Sequence, residues 1–495
     1  MRKPRGWRWI VPYARPGRGR GWRFIMRSIS QSVVAHDSSY NDCFILKGEA
    51  VAVGNLLSRV APNQKALRMR AFETGARACA IHILRRKGTK SKQRTVCPAL
   101  AYHARAPSDV DGAEVHVWVH PAAGDVAFKI LESAQVREKV DVKVEKSDDF
   151  ARVELIGEKS FELLQKLAKS LDLYAEQHVL RGIRRYIAAD PRAAAWNVET
   201  EATILEAPTD TAPTQAEYAA SRTASRLAAF DRPWEDATAI GVKAYSAIII
   251  NRGSVAIEGY TIIVPKSWNL PLWLGVCQAG ARSVGVAEWL WCAQRFGRAV
   301  FPDDYLDTEA GAEKRRELFD DISAIKSKKP LGKVSSVLRA TEERAKDVHI
   351  CNVLRVPDTK LELGTLPPDV MVRVTLRCPW SGQPTLGSEI HVPTTAQRDA
   401  WCSKKSAKTT RRRDVALVGI AHGESIGYVT SVSAPAASVG LASALIKANA
   451  VKLLFESFSR GKAKVFVMIN PPGKPAVPAE ALIVVKASYF DEPWL

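Results

Sequence analysis

Several residue patterns that mark common classes of protein are missing from this sequence. None of its eight cysteines belongs to a C-x-x-C pair or has a histidine at zinc-finger spacing, which predicts reduced thiols and no metal site. A G-x-x-x-x-G-K-[ST] phosphate loop is also absent. The longest uncharged run, residues 425–446, carries five serines, two glycines and a proline. Such a run makes a poor membrane span, so the sequence predicts a soluble, intracellular protein with no membrane partner.

Histidine is lacking after His422, and this lack counts against a hydrolytic site. Residues 423–427 have the form G-x-S-x-G, but a nucleophile elbow needs a helix after Ser425 and a histidine later in the chain. The residues that follow Ser425 have the composition of a strand. A serine hydrolase is therefore not expected.

Two further sets of polar residues have metal-binding side chains, but structural roles fit them better. His116 and His120 lie on one face of a predicted strand with no cysteine nearby, which favours packing or capping. Asp303, Asp304 and Asp307 lie in a proline-bounded turn, where carboxylates usually form Asx turns or cap helices. The sequence accordingly predicts no catalytic residues, no metal and no cofactor held by the protein.

The residues that are present describe a folded and strongly basic protein. The chain has 495 residues, 46% of them hydrophobic, which is enough for about two to four domains. Its 72 Lys and Arg against 52 Asp and Glu give a net charge of +20 and a pI near 9.6. Such a charge predicts a polyanionic partner.

Basic residues are concentrated at the start of the chain, where no acid precedes Asp37. Arginines alternate here with aromatic residues. Guanidinium groups pair with phosphates and aromatic rings stack on unpaired bases, so residues 1–32 are predicted to be an RNA-binding arm. A mitochondrial presequence or a solvated tail has a similar composition, and the sequence leaves both alternatives open. The predicted RNA contacts in the arm are Arg5, Trp7, Arg8, Arg15, Arg18, Arg20, Trp22 and Arg23.

A second basic segment lies near the C-terminal end, at residues 404–413. Alone it would be a solvated loop. Together with the arm and with the basic runs at residues 85–94 and 326–333, it is predicted to contact phosphates without sequence preference. The predicted contacts are Lys404, Lys405, Lys408, Arg411, Arg412 and Arg413.

Hydrophobic periodicity predicts an α+β chain of mixed sheets with packed helices. Strand, glycine turn and helix follow one another at residues 43–57 and again at residues 153–171, as a weak internal repeat. Residues 272–296 are apolar nearly all round and predict one long buried helix. The predicted parts are the basic arm 1–32, an N-terminal α+β domain 33–205, a linker 206–232, a domain with the buried helix 233–350 and a β-rich C-terminal domain 351–495.

One segment resembles the signature of a known family. The strand Thr261-Ile-Ile-Val-Pro-Lys leads to Trp268, and the motifs Gly280-Ala-Arg and Phe301-Pro-Asp-Asp-Tyr-Leu-Asp-Thr follow in order. This order resembles the POPLD signature of the processing-of-precursors family, the largest protein subunit of eukaryotic ribonuclease P and ribonuclease MRP. Shorter motifs extend the resemblance over about residues 32–488. Ser267 and Leu306 depart from the signature, and the long basic region upstream of the family's core is not matched.

The resemblance implies a non-catalytic scaffold. In that family the 5′ side of precursor tRNA is cleaved by Mg²⁺ ions held in the RNA subunit, and the protein braces that RNA. The implied partners are ribonuclease P or MRP RNA, precursor tRNA as the substrate of the particle and its small protein subunits. The implied activities of the particle are tRNA 5′ maturation and rRNA processing. The implied location is the nucleus or nucleolus, with the mitochondrion as the alternative.

The same resemblance adds predictions for particular residues. Lys266 and Arg282 become further predicted RNA contacts. Trp268 and Trp273 are predicted to pack the core beside them, and Trp273→Ala is expected to cost about 3–5 kcal/mol of stability.

The strand, glycine and helix units also resemble the folate-binding fold of glycine-cleavage T-proteins, which implies a fold and no folate chemistry. Two other functions stay open on the sequence alone. One is a folate-binding, T-protein-like enzyme. The other is a structural protein of a mitochondrial ribonucleoprotein.

Overall fold

The structure is a computed structural model of the whole chain. The residues that it describes are 7–14, 21–62, 65–85, 94–105, 107, 112–167, 182–194, 209–220, 223, 244–252, 258–296, 298–328, 352–353, 370–378, 384–397, 424–432, 440–450, 454, 464–471 and 476–483. The chain divides into two compact units. Unit 1 contains residues 1–81 and 99–288, and unit 2 contains residues 82–98 and 289–495.

Unit 1 is built from helices and two sheets. Its helices are α1 Trp22–Gln31, α2 Ala50–Val60, α3 Arg70–Glu73, α4 Gly124–Glu138, α5 Ser160–Leu167, α6 Pro191–Ala194, α7 Asn269–Gln278 and the start of α8 Val286–Arg295. Its strands are β1 Val33–Asp37, β2 Asp42–Gly48, β3 Cys79–Arg85, β4 Arg94–His103, β5 Ala113–Val119, β6 Val142–Ser147, β7 Phe150–Ile156, β8 Ile183–Ala189, β9 Ala244–Asn251, β10 Gly259–Pro265 and β11 Ala281–Ser283. Residues 82–85 at the end of β3 and residues 94–98 at the start of β4 are assigned to unit 2.

The first sheet of unit 1 has five strands in the order β3-β4-β5-β2-β6. The helices α2 and α4 pack together beside it, with apolar side chains such as Leu56, Leu57 and Leu131 buried. The second sheet has six strands in the order β11-β1-β7-β10-β9-β8, of which only the β1–β11 pair is parallel. On one face it shares a hydrophobic cluster with α5 and α7.

The other face of the six-stranded sheet carries charged side chains that are buried against the five-stranded sheet. Arg152 on β7 is fully buried, and its guanidinium lies 5.7 Å from the centre of the Trp118 ring on β5. Glu154 accepts hydrogen bonds from Arg152 Nε at 2.6 Å, Thr261 Oγ1 at 2.7 Å and Arg252 at 3.4 Å. Burial alone raises the pKa of Glu154, but the neighbouring charges of Arg152 and Arg252 outweigh it and lower that pKa. An ion pair therefore joins the strands in the interior of unit 1.

The sequence predictions for strand, glycine and helix are confirmed at both places. The first unit is β2 followed by α2, and the second is β7 followed by Gly157 and α5. Gly157 has φ of +146°, and a Cβ atom there would lie 2.1 Å from the Ser32 carbonyl oxygen. Glycine is required because the chain of residues 32–33 passes directly against this turn.

The prediction of one long helix over residues 272–296 is wrong. Two helices, α7 and α8, flank the short strand β11. Gly280 adopts φ of +103° after α7, and residues 281–283 then pair with β1. The Glu288 carboxylate accepts a hydrogen bond from Gly285 N at 2.7 Å at the start of α8. Residues of all three elements are buried, so their pattern resembles that of a single apolar helix.

The domain division drawn from the sequence also needs correction. The six-stranded sheet takes β1, β7 and β8 from the predicted domain 33–205, and β9, β10 and β11 from the predicted domain 233–350. In the sequence, the predicted linker 206–232 therefore falls between β8 and β9, which belong to the same sheet. The described residues of the predicted arm, 7–14 and 21–32, are likewise part of unit 1.

Unit 2 is dominated by a closed antiparallel sheet. Its elements are the rest of α8, α9 Glu309–Ser327, β12 Asn352–Val353, β13 Val370–Cys378, β14 Glu389–His391, β15 Gly427–Val432, β16 Gly440–Lys447, β17 Lys464–Asn470 and β18 Val477–Ile483. The strand order is β12-β13-β16-β15-β14-β17-β18. Pairing of β13 with β18 closes an antiparallel ring of six strands, and β12 pairs with β13 in parallel at its side. Buried side chains such as Val374, Ile390 and Val467 form its hydrophobic cluster. The β-rich character predicted for the C-terminal part of the chain is confirmed.

Candidate nucleic-acid interface

The start of the described chain, residues 7–14, packs against the rest of unit 1. Trp7 is buried, with its ring stacked on Tyr40 at a centroid distance of 4.8 Å and edge-on to His120 at 4.9 Å. Val286 N donates a hydrogen bond to Pro12 O at 2.9 Å, and Ala287 N donates to Tyr13 O at 2.8 Å. This segment is thus held by both side-chain packing and backbone hydrogen bonds.

Gly285 makes this docking possible. A Cβ atom at this position would lie 2.6 Å from Tyr13 O and 2.8 Å from Pro12 O. Any other residue would therefore push the N-terminal segment away from the start of α8.

Helix α1 presents basic and aromatic side chains to solvent. Ile25 and Ile29 are buried, whereas Arg23, Phe24 and Arg27 are exposed. The Arg282 guanidinium, at the end of β11, lies 3.6 Å from the centre of the Phe24 ring. Stacking of a cation on an aromatic face is favourable and fixes the position of the guanidinium.

A second cluster of cations forms around Trp9. The guanidinium of Arg8 lies 4.6 Å from the centre of the Trp9 ring, and the ammonium of Lys266 lies 4.9 Å from it. Arg8 also pairs with Asp148. Through this hydrogen bond the pKa of Asp148 is lowered and the pKa of Arg8 is raised. Lys266 is exposed, so Trp9 holds a solvated positive charge next to α7.

Five of the residues predicted to contact RNA have described side chains. Arg8, Arg23, Lys266 and Arg282 belong to the two surface clusters just described. Trp7 does not, because its ring is buried against Tyr40 and His120, and its contact with RNA stays a prediction. The backbone of Trp22 lies in α1, but its side chain lies outside the described part. The other predicted contacts also lie outside the described residues: Arg5, Arg15, Arg18, Arg20, Lys404, Lys405, Lys408, Arg411, Arg412 and Arg413.

Sequence reasoning had not selected Trp9 and Phe24 as site residues. Both occur in the arginine-rich and aromatic-rich start of the chain, which was the available signal. Their pairing with Lys266 and Arg282 depends on contacts between residues more than 250 positions apart, which the pattern of the arm cannot reveal.

A cavity of about 270 Å³ opens between elements that also carry these clusters. Its lining includes Pro12, His36, Asp37, Asn269 and Trp273. His36 is buried, its Nδ1–H donates to Val284 O at 3.3 Å, and its Nε2 accepts from the Tyr40 hydroxyl at 3.0 Å. Burial lowers the pKa of His36 to about 4, so the ring is neutral at physiological pH.

The motifs that came nearest to a catalytic pattern make structural hydrogen bonds. The Asp304 carboxylate accepts from Val300 N, Thr430 Oγ1 and Ser431 Oγ, each at 2.9 Å. His116 contacts the Tyr102 hydroxyl at 3.1 Å and Glu114 at 2.9 Å. Ser425 donates to Gly427 O at 3.0 Å at the start of β15.

Two absences hold for the described residues. They contain no group of three or more His, Cys, Asp or Glu side chains placed to hold a metal ion. Within the same residues, no helix is both long and apolar enough to cross a membrane.

Comparison with known families identifies a domain in the middle of the chain. Residues 259–346 match the family model of the POPLD (NUC188) domain. The match begins at β10 and includes Lys266, Asn269, Trp273 and Arg282. It confirms the resemblance drawn from the sequence in this region. No curated protein matches the chain.

Comparison with solved structures confirms the fold class. The chain is similar to the glycine cleavage system aminomethyltransferase T from Bartonella henselae, with a TM-score of 0.50 over 98% of this chain and 93% of that chain. The two sequences are 12% identical. At this identity the likeness concerns the fold alone, which is the α+β architecture expected from the strand, glycine and helix units.

Proposed function

We propose that this POPLD-domain protein is a non-catalytic, RNA-binding scaffold subunit of ribonuclease P, ribonuclease MRP or both. In such a particle the chain stabilises the catalytic RNA that matures the 5′ end of precursor tRNA or processes rRNA. Mg²⁺ is expected on the RNA, and the other partners are the small protein subunits of the particle. The observation that carries this proposal is the pairing of POPLD cations with N-terminal aromatic rings, Lys266 with Trp9 and Arg282 with Phe24.

These pairs suit phosphate binding. Each ring restrains a long cationic side chain before RNA arrives, so less conformational entropy is lost on binding. Arg23 and Arg27 add exposed charge on α1. Contacts of this kind provide affinity that depends on salt and not on base sequence.

A scaffold role without catalysis is supported by the side chains that could otherwise act as acids, bases or nucleophiles. The Asp304 carboxylate bonds to two hydroxyls and a backbone amide, and both His116 nitrogens have partners. These groups are engaged in holding strands and turns together. The alternative of a folate-binding enzyme depends on likeness of fold alone.

The test is purification of tagged full-length protein from cells, followed by sequencing of the RNA that co-purifies. The variant Lys266→Glu/Arg282→Glu is compared with Lys143→Glu/Lys159→Glu, which changes the net charge equally at exposed lysines elsewhere. We expect one abundant structured RNA, supporting Mg²⁺-dependent cleavage of precursor tRNA, with the wild type and the control.

The interface variant is expected to recover at least about tenfold less of that RNA. Its binding should depend less steeply on salt. The slope of the logarithm of the binding constant against the logarithm of the salt concentration should become shallower by about 0.7 to 0.9 for each lost phosphate contact. Equal recovery by the two variants would refute the interface, and absence of any enriched RNA would refute the function.

A nuclear or nucleolar location is part of the proposal. It is supported by the docking of residues 7–14 into unit 1, because removal of these residues as a presequence would leave Tyr40 and α8 without their contacts. Mass spectrometry of the cellular protein is expected to find Trp7 still present. A mature N terminus beyond residue 27 would favour the mitochondrial alternative.

A further inference from the structure

The cavity between Asp37 and Trp273 has hydrogen-bond acceptors that the fold does not use fully. Asp37 Oδ1 accepts from Ser39 N at 3.0 Å, and Asp37 Oδ2 accepts from Asn269 Nδ2 at 3.3 Å. A carboxylate can accept about four hydrogen bonds, so each oxygen retains capacity. Asn269 Oδ1 is buried and has no hydrogen-bond partner among the described residues.

No charged donor among the described lining residues competes for these acceptors. His36 is neutral, and both of its ring nitrogens are engaged by Val284 O and the Tyr40 hydroxyl. The polar part of the cavity therefore favours a ligand that donates hydrogen bonds.

The rest of the lining is apolar and partly aromatic. Trp273 and Leu270 come from α7, and Pro12 comes from the N-terminal segment. Trp273 is only partly buried, so its indole can pack against a flat ring. The volume of about 270 Å³ lies just below the usual range for small-molecule pockets, which begins near ~300 Å³. One planar ring system fits such a space better than an extended ligand.

Cations flank the cavity along the same elements. Lys266 precedes Asn269 at the start of α7, and Arg282 directly precedes the lining residue Ser283. Trp9, which holds Lys266, lies shortly before Pro12. A nucleotide chain bound to these cations would run along the elements that line the cavity.

We propose that this cavity binds one unpaired guanine base of the partner RNA. This inference rests on the proposed function and extends it. Guanine presents its N1–H and 2-amino donors side by side, which match the carboxylate of Asp37 and the oxygen of Asn269. Adenine and cytosine offer one amino group beside an acceptor, and uracil offers one N–H between two carbonyl groups. Recognition of a splayed-out base by stacking and edge hydrogen bonds is typical of sequence-specific RNA binding.

The test measures the Kd of full-length protein for short fluorescent RNAs by anisotropy. The RNAs are oligouridylates that carry a single central guanine, inosine, adenine or uracil. Wild-type protein is expected to bind the guanine RNA at least about tenfold more tightly than the adenine RNA, which corresponds to about 1.4 kcal/mol. Inosine lacks the 2-amino group and should lie between them.

Two kinds of variant distinguish the contribution of the cavity to RNA binding from that of the charged surface. Asp37→Asn keeps the shape of the side chain, and it should reduce the guanine preference to less than about threefold without changing the affinity for oligouridylate. Asn269→Ala provides an independent removal of an acceptor, and circular dichroism checks the fold of both. Lys266→Glu/Arg282→Glu should weaken binding of all four RNAs equally.

The outcomes distinguish this inference from the proposed function. Tight, salt-dependent binding with equal affinity for guanine and adenine would overturn the guanine site and leave the scaffold role standing. Failure to bind any of the RNAs, or the RNA of the cell, would overturn both. A free pterin has the same donor edge. Binding of a pterin that Asp37→Asn abolishes, with no guanine preference in RNA, would overturn the RNA-base assignment and make the cavity a small-molecule site instead.

Discussion

At the scale of single residues, the two tryptophans next to the POPLD cations have different roles. Trp268 is fully buried, stacks on Tyr245 at 4.6 Å and donates from Nε1 to Thr209 O at 2.9 Å. Trp273 packs against the same core but remains partly exposed at the cavity. The sequence prediction of core packing is confirmed for Trp268 and holds only in part for Trp273.

The loss of stability on truncating each tryptophan to alanine should follow this difference in burial. We expect Trp268→Ala to lower the free energy of unfolding by about 3–5 kcal/mol, because it leaves a large cavity and an unpaired Thr209 carbonyl. Trp273→Ala, for which the sequence predicted that cost, should be the milder change. Urea titration of both variants measures the order, and an equal loss would contradict the burial of Trp268.

His36 should make the stability of the protein depend on pH. Its pKa is about 4 in the folded protein, below the ordinary value of 6.5, because burial disfavours the charged ring. Between these values the unfolded chain binds more protons, so stability falls as the pH is lowered from 6.5 to 4. The loss is about 2–3 kcal/mol for this group.

The variant His36→Gln isolates the effect. Glutamine can still donate to Val284 O and accept from Tyr40, but it does not titrate. We expect the free energy of unfolding of this variant to vary less between pH 6.5 and pH 4.5 than that of the wild type. Parallel pH profiles for the two proteins would show that the pKa of His36 does not change on folding.

At the scale of elements, local sequence patterns predicted strands and helices better than their surroundings. Alternation along β7 gives Ala151, Val153 and Leu155 on one face, and this face packs on α5 and α7 as expected. The charged residues Arg152 and Glu154 on the other face suggest that this face is exposed to solvent. The five-stranded sheet covers it instead, and both side chains are buried. Periodicity records which residues share a face, but not what lies opposite that face.

Two glycines in different backbone settings provide a matched pair of tests. Gly157→Ala should destabilise the protein by at least about 2 kcal/mol, because φ is +146° and the added Cβ would meet Ser32 O. Gly54 lies within α2, and a Cβ atom added there would meet nothing within 4 Å apart from its chain neighbours and the backbone of its own helix. Gly54→Ala should therefore stabilise the protein by about 0.5–1 kcal/mol. Thermal midpoints that move in the same direction would contradict this assignment.

At the scale of the whole molecule, the sequence predicted the basic character and the POPLD region but not the integration of the N-terminal segment. A run rich in arginine and proline resembles a separate arm, because composition does not show that Trp7, Val11 and Ile25 are buried. The candidate cavity could not be predicted from the sequence either. Asp37 and Asn269 are brought together only through the sheet pairing of β1, β7 and β10.

Deletion of residues 2–27 should therefore do more than remove charge. Loss of the buried Trp7, Val11 and Ile25 is expected to cost at least about 3 kcal/mol and to lower the thermal midpoint. The matched variant Arg23→Glu/Arg27→Glu changes only exposed positions of α1 and should weaken RNA binding at an unchanged midpoint. A truncated chain that melts at the wild-type temperature would contradict the docked arrangement.

The docking of the first residues against α8 also sets an order of events during synthesis. Pro12 and Tyr13 need the amides of Val286 and Ala287, and β1 needs β11 as its neighbour. At about 5–20 residues per second, the ribosome takes roughly 15–60 s to reach these partners. Until then the arginines and tryptophans of the newly made N-terminal segment are exposed to solvent. During this interval a nascent-chain chaperone can reach a surface that the finished protein partly buries.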